Sequence, residues 1–92
     1  MKIDTLTVRE TPDQRTTTPH VLPIYATSSF SFDDIEQGIG IFKNIESGHA
    51  YSRYANPTVD TVAQKIADLE AHGLGLEATA VMTSSGMSAI AT

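Results

Sequence analysis

The chain has 92 residues, 40% hydrophobic and 18% charged, a composition that belongs to folded proteins and lies outside the low-hydrophobicity, high-charge range of disorder. Its net charge is −5 with only six Lys and Arg residues in scattered positions, which argues against a nucleic-acid or anionic-membrane partner, since both are held by clustered cations. It contains no cysteine, so disulfides and thiolate metal sites are excluded within it.

Residues 1–20 hold Thr11-Pro12-Asp13 and Thr16-Thr17-Thr18-Pro19, turn formers and polar β-branched residues with neither helical nor strand periodicity, and they read as an extended arm. The opening Met1-Lys2-Ile3-Asp4 leads into no apolar leader segment, and no run approaches the length of a membrane helix, so a cytoplasmic location is expected. Val21–Ala26 is a short apolar run broken by Pro23, suited to a sheet edge or to no strand. Ser28-Ser29-Phe30-Ser31-Phe32 follows with alternating character. Asp33 or Asp34 can cap a helix reaching about Lys43, with Ile35, Ile39 and Phe42 on one face, although Gly38 and Gly40 weaken it.

The clearest helix starts at Asn56-Pro57-Thr58. Proline forces the preceding residue into extended geometry, as an N-cap requires, and Pro57 fits the first helical position, where its missing N–H costs nothing. Val59, Val62, Ile66 and Leu69 form its apolar stripe, and Gly73 is its natural stop. Residues 78–83 read as a buried strand, and Ser84-Ser85-Gly86 turns into a new helix at Met87. That helix has about six residues before Thr92, too few to stand alone, so the ending reads as a truncation rather than a domain boundary.

Two segments could carry chemistry. A strand followed by Ser84-Ser85-Gly86-Met87 and a helix would offer unpaired amides and a positive dipole end to an anion, with glycine permitting close approach. On its own the motif describes equally well a plain N-cap and a tight turn. In Tyr51-Ser52-Arg53, extended geometry would point a phenol and a guanidinium to one side, a pairing suited to a phosphate. Taken alone it also describes an exposed arginine beside a half-buried tyrosine. The letters of Gly73-Leu74-Gly75-Leu76-Glu77-Ala78 match a dinucleotide-binding fingerprint, but they follow a helix where a strand is required, and the segment reads as a connecting loop. His20, His49 and His72 lack any second ligand at helical or turn spacing, and surface or packing roles are expected for them, with His49 set apart by its nearness to Tyr51.

In order, Pro23-Ile24-Tyr25-Ala26-Thr27-Ser28-Ser29-Phe30, Tyr51-Ser52-Arg53-Tyr54-Ala55-Asn56-Pro57-Thr58, Leu69-Glu70 and Ser84-Ser85-Gly86-Met87-Ser88-Ala89-Ile90 resemble the Cys/Met-metabolism family of pyridoxal 5'-phosphate (PLP) enzymes. The family includes cystathionine γ-synthase and γ-lyase, methionine γ-lyase and O-acetylhomoserine sulfhydrylase. The resemblance spans roughly residues 20 to 92 and is faint upstream of Pro19. It implies an α/β chain, the N-terminal part of a fold-type I (aspartate aminotransferase-like) PLP-dependent transferase. Residues 1–57 would form the arm and subunit-contact segment, and 58–92 the start of the large PLP-binding domain.

By the same resemblance, the backbone of Gly86 and Met87 would bind the PLP phosphate, and Tyr51 and Arg53 the phosphate of a neighbouring subunit's cofactor in a homo-oligomer, commonly a dimer of dimers. The implied reaction is β- or γ-elimination or γ-replacement on sulfur amino-acid substrates. The family's Schiff-base lysine and its other chemical residues would lie beyond residue 92, so no catalytic residue is assigned here, and Lys2, Lys43 and Lys65 sit in no matching context. A second expectation, from the truncated ending, is a non-catalytic interaction segment or a split-gene piece that needs a separate lysine-bearing chain.

Overall fold

The computed structural model describes residues 2–8 and 18–92. Four helices occur among them: α1 (Ile3–Val8), α2 (Ile35–Phe42), α3 (Pro57–Ala71) and α4 (Gly86–Ala91). Three of them begin where the local sequence supplies a cap. The Asp34 carboxylate accepts from the Gln37 amide at 2.7 Å, the Asn56 side chain from the Thr58 amide at 2.9 Å, and the Ser85 hydroxyl from the Ser88 amide at 3.1 Å. Each cap residue has extended backbone angles, and each satisfies an amide that the first helical turn would leave unpaired.

The helix ends are equally local. Beyond α2, Asn44 takes a left-handed conformation at φ 56°, and the amides of Ile45 and Glu46 both turn back to the Gly40 carbonyl. Gly38, the residue that weakens α2 by propensity, is buried because the Phe32 ring lies against it. A Cβ there would come within 2.9 Å of that ring. After α3, Gly73 adopts φ 75°, which a residue with a side chain reaches only with strain, and the loop of 73–78 follows as the sequence pattern implies.

Two expectations require correction. Part of the extended arm is helical: Ile3–Val8 forms α1, with Asp4 in its first turn and the Thr7 hydroxyl donating to the Asp4 carbonyl at 2.7 Å. This six-residue helix is too short to carry the apolar periodicity that would signal it, and the acidic residue in its first turn suits the positive end of the helix dipole. Residues 9–17 of that arm lie outside the described residues. The strand expected at 78–83 does not form, and no strand occurs among the described residues. A strand exists only through a partner that takes up its amides and carbonyls, and none is alongside this segment. The α/β class is therefore not visible in the described residues, whose regular structure is helical.

What organises the middle of the chain is a web of hydrogen bonds between residues 23–30 and 51–58. Ser29 and Tyr51 form an isolated antiparallel bridge, flanked by Phe30 N–H to Ala50 carbonyl at 3.1 Å and Ser52 N–H to Ser28 carbonyl at 2.8 Å. The Asn56 amide group donates to the Tyr25 carbonyl at 3.0 Å and to the Ser52 hydroxyl at 2.9 Å, while that hydroxyl donates to the Thr27 carbonyl. The Thr58 hydroxyl accepts from the Tyr25 amide at 2.9 Å and donates to the Pro23 carbonyl at 3.0 Å.

Apolar packing is sparse by comparison. Among the described residues only Ala67, 3% exposed, counts as buried hydrophobic core, and no helix packs on another. The α3 stripe stands largely uncovered, with Leu69 at 71% exposure. Asn56→Ala is expected to destabilise the chain by about 1–3 kcal/mol, through loss of the cap and of two donors to a buried position, read as a shift in denaturation midpoint. Gly73→Ala should cost about 1 kcal/mol by the same measurement, because its left-handed backbone must then carry a Cβ.

Candidate functional site

Tyr51 and Arg53 are brought together, but by a different geometry from the one the sequence implies. Residues 52–54 form a turn, with the amides of Tyr54 and Ala55 both bonded to the Tyr51 carbonyl at 3.0 and 3.2 Å. An extended segment would set the two side chains on one side by alternation. Here the turn folds Arg53 back so that its guanidinium carbon lies 5.0 Å from the Tyr51 ring centroid and 5.7 Å from that of Tyr54. The two tyrosine rings meet edge to face at 6.0 Å.

This arrangement has electrostatic consequences. A guanidinium over aromatic faces is held by the ring quadrupoles without its N–H donors being consumed. Among the described residues no carboxylate pairs with Arg53, so its planar fork stays available to an anion. Tyr51 is half-buried and Arg53 exposed, which fixes the phenol and leaves the cation at the surface.

Gly86 and Met87 open α4. Of the first amides of this helix, Ser88 is satisfied by the Ser85 hydroxyl and Ala89 by the Ser85 carbonyl, whereas Gly86 and Met87 find no acceptor among the described residues. A Cβ built on Gly86 would meet nothing within 4 Å, so an anion can approach the backbone there. Two free amides at a helix start, next to a glycine that leaves the backbone bare, suit a phosphate, whose oxygens accept several hydrogen bonds at once. The Thr83 hydroxyl donates to the Ser85 carbonyl at 3.0 Å, which helps to hold the turn. No hydrogen bond among the described residues joins this pair to Tyr51 and Arg53.

Sequence reasoning missed the supports of the site. Ser52 and Asn56 stitch the Tyr51–Arg53 turn to residues 23–30, and His49 Nε2 lies 2.7 Å from Asp60 Oδ2 in α3. His49 also lies against Phe30, ring centroids 5.8 Å apart. The signal for the His49 contact was faint: a histidine two residues before Tyr51, and an aspartate in the first turn of a helix whose start Pro57 marks.

Comparison with known proteins identifies the family. Residues 4–92 match the family described as Cys/Met metabolism PLP-dependent enzyme. A homocysteine synthase of Schizosaccharomyces pombe is 46% identical over 79 residues, covering 86% of this chain and 17% of that protein. An L-methionine gamma-lyase of Pseudomonas deceptionensis is 45% identical over 69 residues, 75% of this chain and 16% of its own length. A sulfhydrylase of Fusarium oxysporum is 48% identical over 79 residues, again 86% of this chain and 17% of the relative. The chain thus spans about a sixth of the length of the curated relatives it matches. No solved structure matches it significantly. With a family match over nearly all its length and relatives at this identity, the chain belongs to the Cys/Met metabolism family of PLP-dependent enzymes.

Proposed function

We propose that this chain is the phosphate-anchoring N-terminal part of a PLP-dependent trans-sulfuration enzyme. In this reading the Gly86 and Met87 amides hold the phosphate of one cofactor, and Tyr51 and Arg53 reach the phosphate of a neighbouring subunit's cofactor. The observation that carries it is the pair of amides at the bare backbone of the α4 start that find no acceptor among the described residues; a guanidinium stacked on phenols, with no carboxylate partner among those residues, is the second donor group. A phosphate dianion is a strong acceptor for both kinds of donor, and a phenol with a guanidinium gives it a directional grip that a lysine does not.

The relatives' names include synthase, lyase and sulfhydrylase activities, which supports β- or γ-elimination or γ-replacement on homoserine-ester, cystathionine or methionine-type substrates. PLP, when bound, supplies an electron sink for negative charge developing at the substrate's α-carbon. This chain's residues fix the cofactor's position and carry no proton in that chemistry. The architecture proposed is the family's fold-type I α/β domain, with 78–83 entering its sheet once neighbouring strands supply hydrogen-bond partners. Residues 1–57 then serve subunit contact and 58–92 begin the large domain, in a cytoplasmic dimer of dimers whose Schiff-base lysine lies beyond residue 92.

In the full-length protein, Arg53→Ala is expected to weaken PLP binding by roughly tenfold or more, in line with a lost charge-assisted hydrogen bond, and Arg53→Lys should restore only part of it. Equilibrium titration of the apoenzyme with PLP measures this, and an unchanged dissociation constant would refute the grip. The 92-residue chain by itself should retain no PLP through gel filtration; retention at one cofactor per chain would contradict the placement of the lysine.

A further inference from the structure

We propose that His49, through its bond to Asp60, is a positioning residue that sets the Tyr51–Arg53 turn for the cofactor phosphate. The proposal rests on the phosphate-grip reading above and adds to it the device that aims the grip.

The turn is clamped at both ends to one helix. At its C-terminal end Asn56 caps α3 and donates to the Ser52 hydroxyl at 2.9 Å. At its N-terminal end His49 Nε2 meets Asp60 Oδ2 at 2.7 Å. Asn56 and Asp60 stand four residues apart, and the Asp60 amide bonds to the Asn56 carbonyl at 2.9 Å, so the two clamps are stacked one helical turn from each other. Tyr51 and Arg53 lie between them.

The pairing with residues 28–30 does not do this work by itself. Its two backbone hydrogen bonds, at Ala50 and Ser52, hold the segment along one line, and the Ser52 hydroxyl, bonded to Thr27 and Asn56, secures the C-terminal side of that line. The N-terminal side still needs an attachment off that line. His49 supplies it, and its ring also rests against Phe30 on the other side.

The chemistry of the pair is directional. A carboxylate only accepts, so the hydrogen lies on Nε2, whichever state the other ring nitrogen takes. Asp60 in turn sits in the first turn of α3, where the helix dipole favours its charge. The histidine is thus tied to an anion whose backbone belongs to α3. His49 reaches the phosphate through Tyr51 and Arg53 and makes no contact with it in this proposal.

The test uses the full-length enzyme stripped of cofactor and titrated with PLP and, separately, with pyridoxal, which lacks the phosphate. His49→Ala and Asp60→Ala are each expected to raise the PLP dissociation constant on the order of fivefold while leaving that for pyridoxal unchanged. The double variant should be little worse than either single one, since both remove the same bond. His49→Gln, whose amide can donate to Asp60, should recover most of the PLP affinity.

Equal losses for PLP and pyridoxal would mark a general structural role and overturn the proposal. So would unchanged PLP affinity in both alanine variants alongside a loss in Arg53→Ala, an outcome that leaves the grip itself standing. Unchanged affinity in Arg53→Ala removes the grip and this inference with it. If His49→Ala fails to assemble, Asp60→Asn, which keeps the shape and weakens the charge-assisted bond, is read by the same two affinities and the same criteria.

Discussion

The central part of the chain depends on one buried amide. Asn56, 9% exposed, caps α3 with its oxygen and ties down two otherwise separate segments with its nitrogen, through the Tyr25 carbonyl and the Ser52 hydroxyl. Both of its N–H donors are used. An aspartate in this position would cap the helix as well but could donate nothing, and a serine could not reach both partners. The helix start, the Ser29–Tyr51 bridge and the turn that carries Arg53 therefore share this support, which links helix formation to the shape of the turn.

That support is polar because apolar packing within the described residues is thin. Val59, Val62, Ile66 and Leu69 line one side of α3, and Ile90 on α4 is 82% exposed. A periodic apolar stripe of this kind is stabilised only when another element covers it. The chain corresponds to about a sixth of its relatives' length. Residues 78–83 follow the same logic in hydrogen bonds: an apolar β-branched run without a neighbour on either side stays unpaired.

Which features were legible in the sequence follows from the range of the interactions that make them. Asp34, Asn56-Pro57, Ser85 and Gly73 mark helix ends because a cap or a left-handed stop acts within three or four residues. The strand at 78–83 is not realised because its partner is not local, and α1 is too short to leave a periodic apolar trace. The convergence of Tyr51 and Arg53 was anticipated from alternation and achieved instead by a turn, whose cause lies in Ser52 and Asn56 binding residues more than twenty positions away. Nothing in the letters Tyr-Ser-Arg reveals that Ser52 faces the Thr27 carbonyl. The family, by contrast, was legible, since the spacing of its short blocks survives without knowledge of their contacts.

A net charge of −5 and a phosphate site are compatible because the donors proposed for the anion are local and largely uncharged. Backbone amides at a helix start contribute partial positive charge without raising the overall charge, and they are presented by geometry, not by long flexible side chains. The one formal cation, Arg53, is confined by two aromatic rings, so less of its conformational freedom remains to be lost when an anion arrives. Such a grip draws its strength from preorganisation, and preorganisation has to be built into the surrounding backbone. The hydrogen bonds of Ser52, Asn56, Thr58 and His49 are that backbone's fixings, which is why residues that touch no phosphate stand in this short segment as closely spaced as those that would.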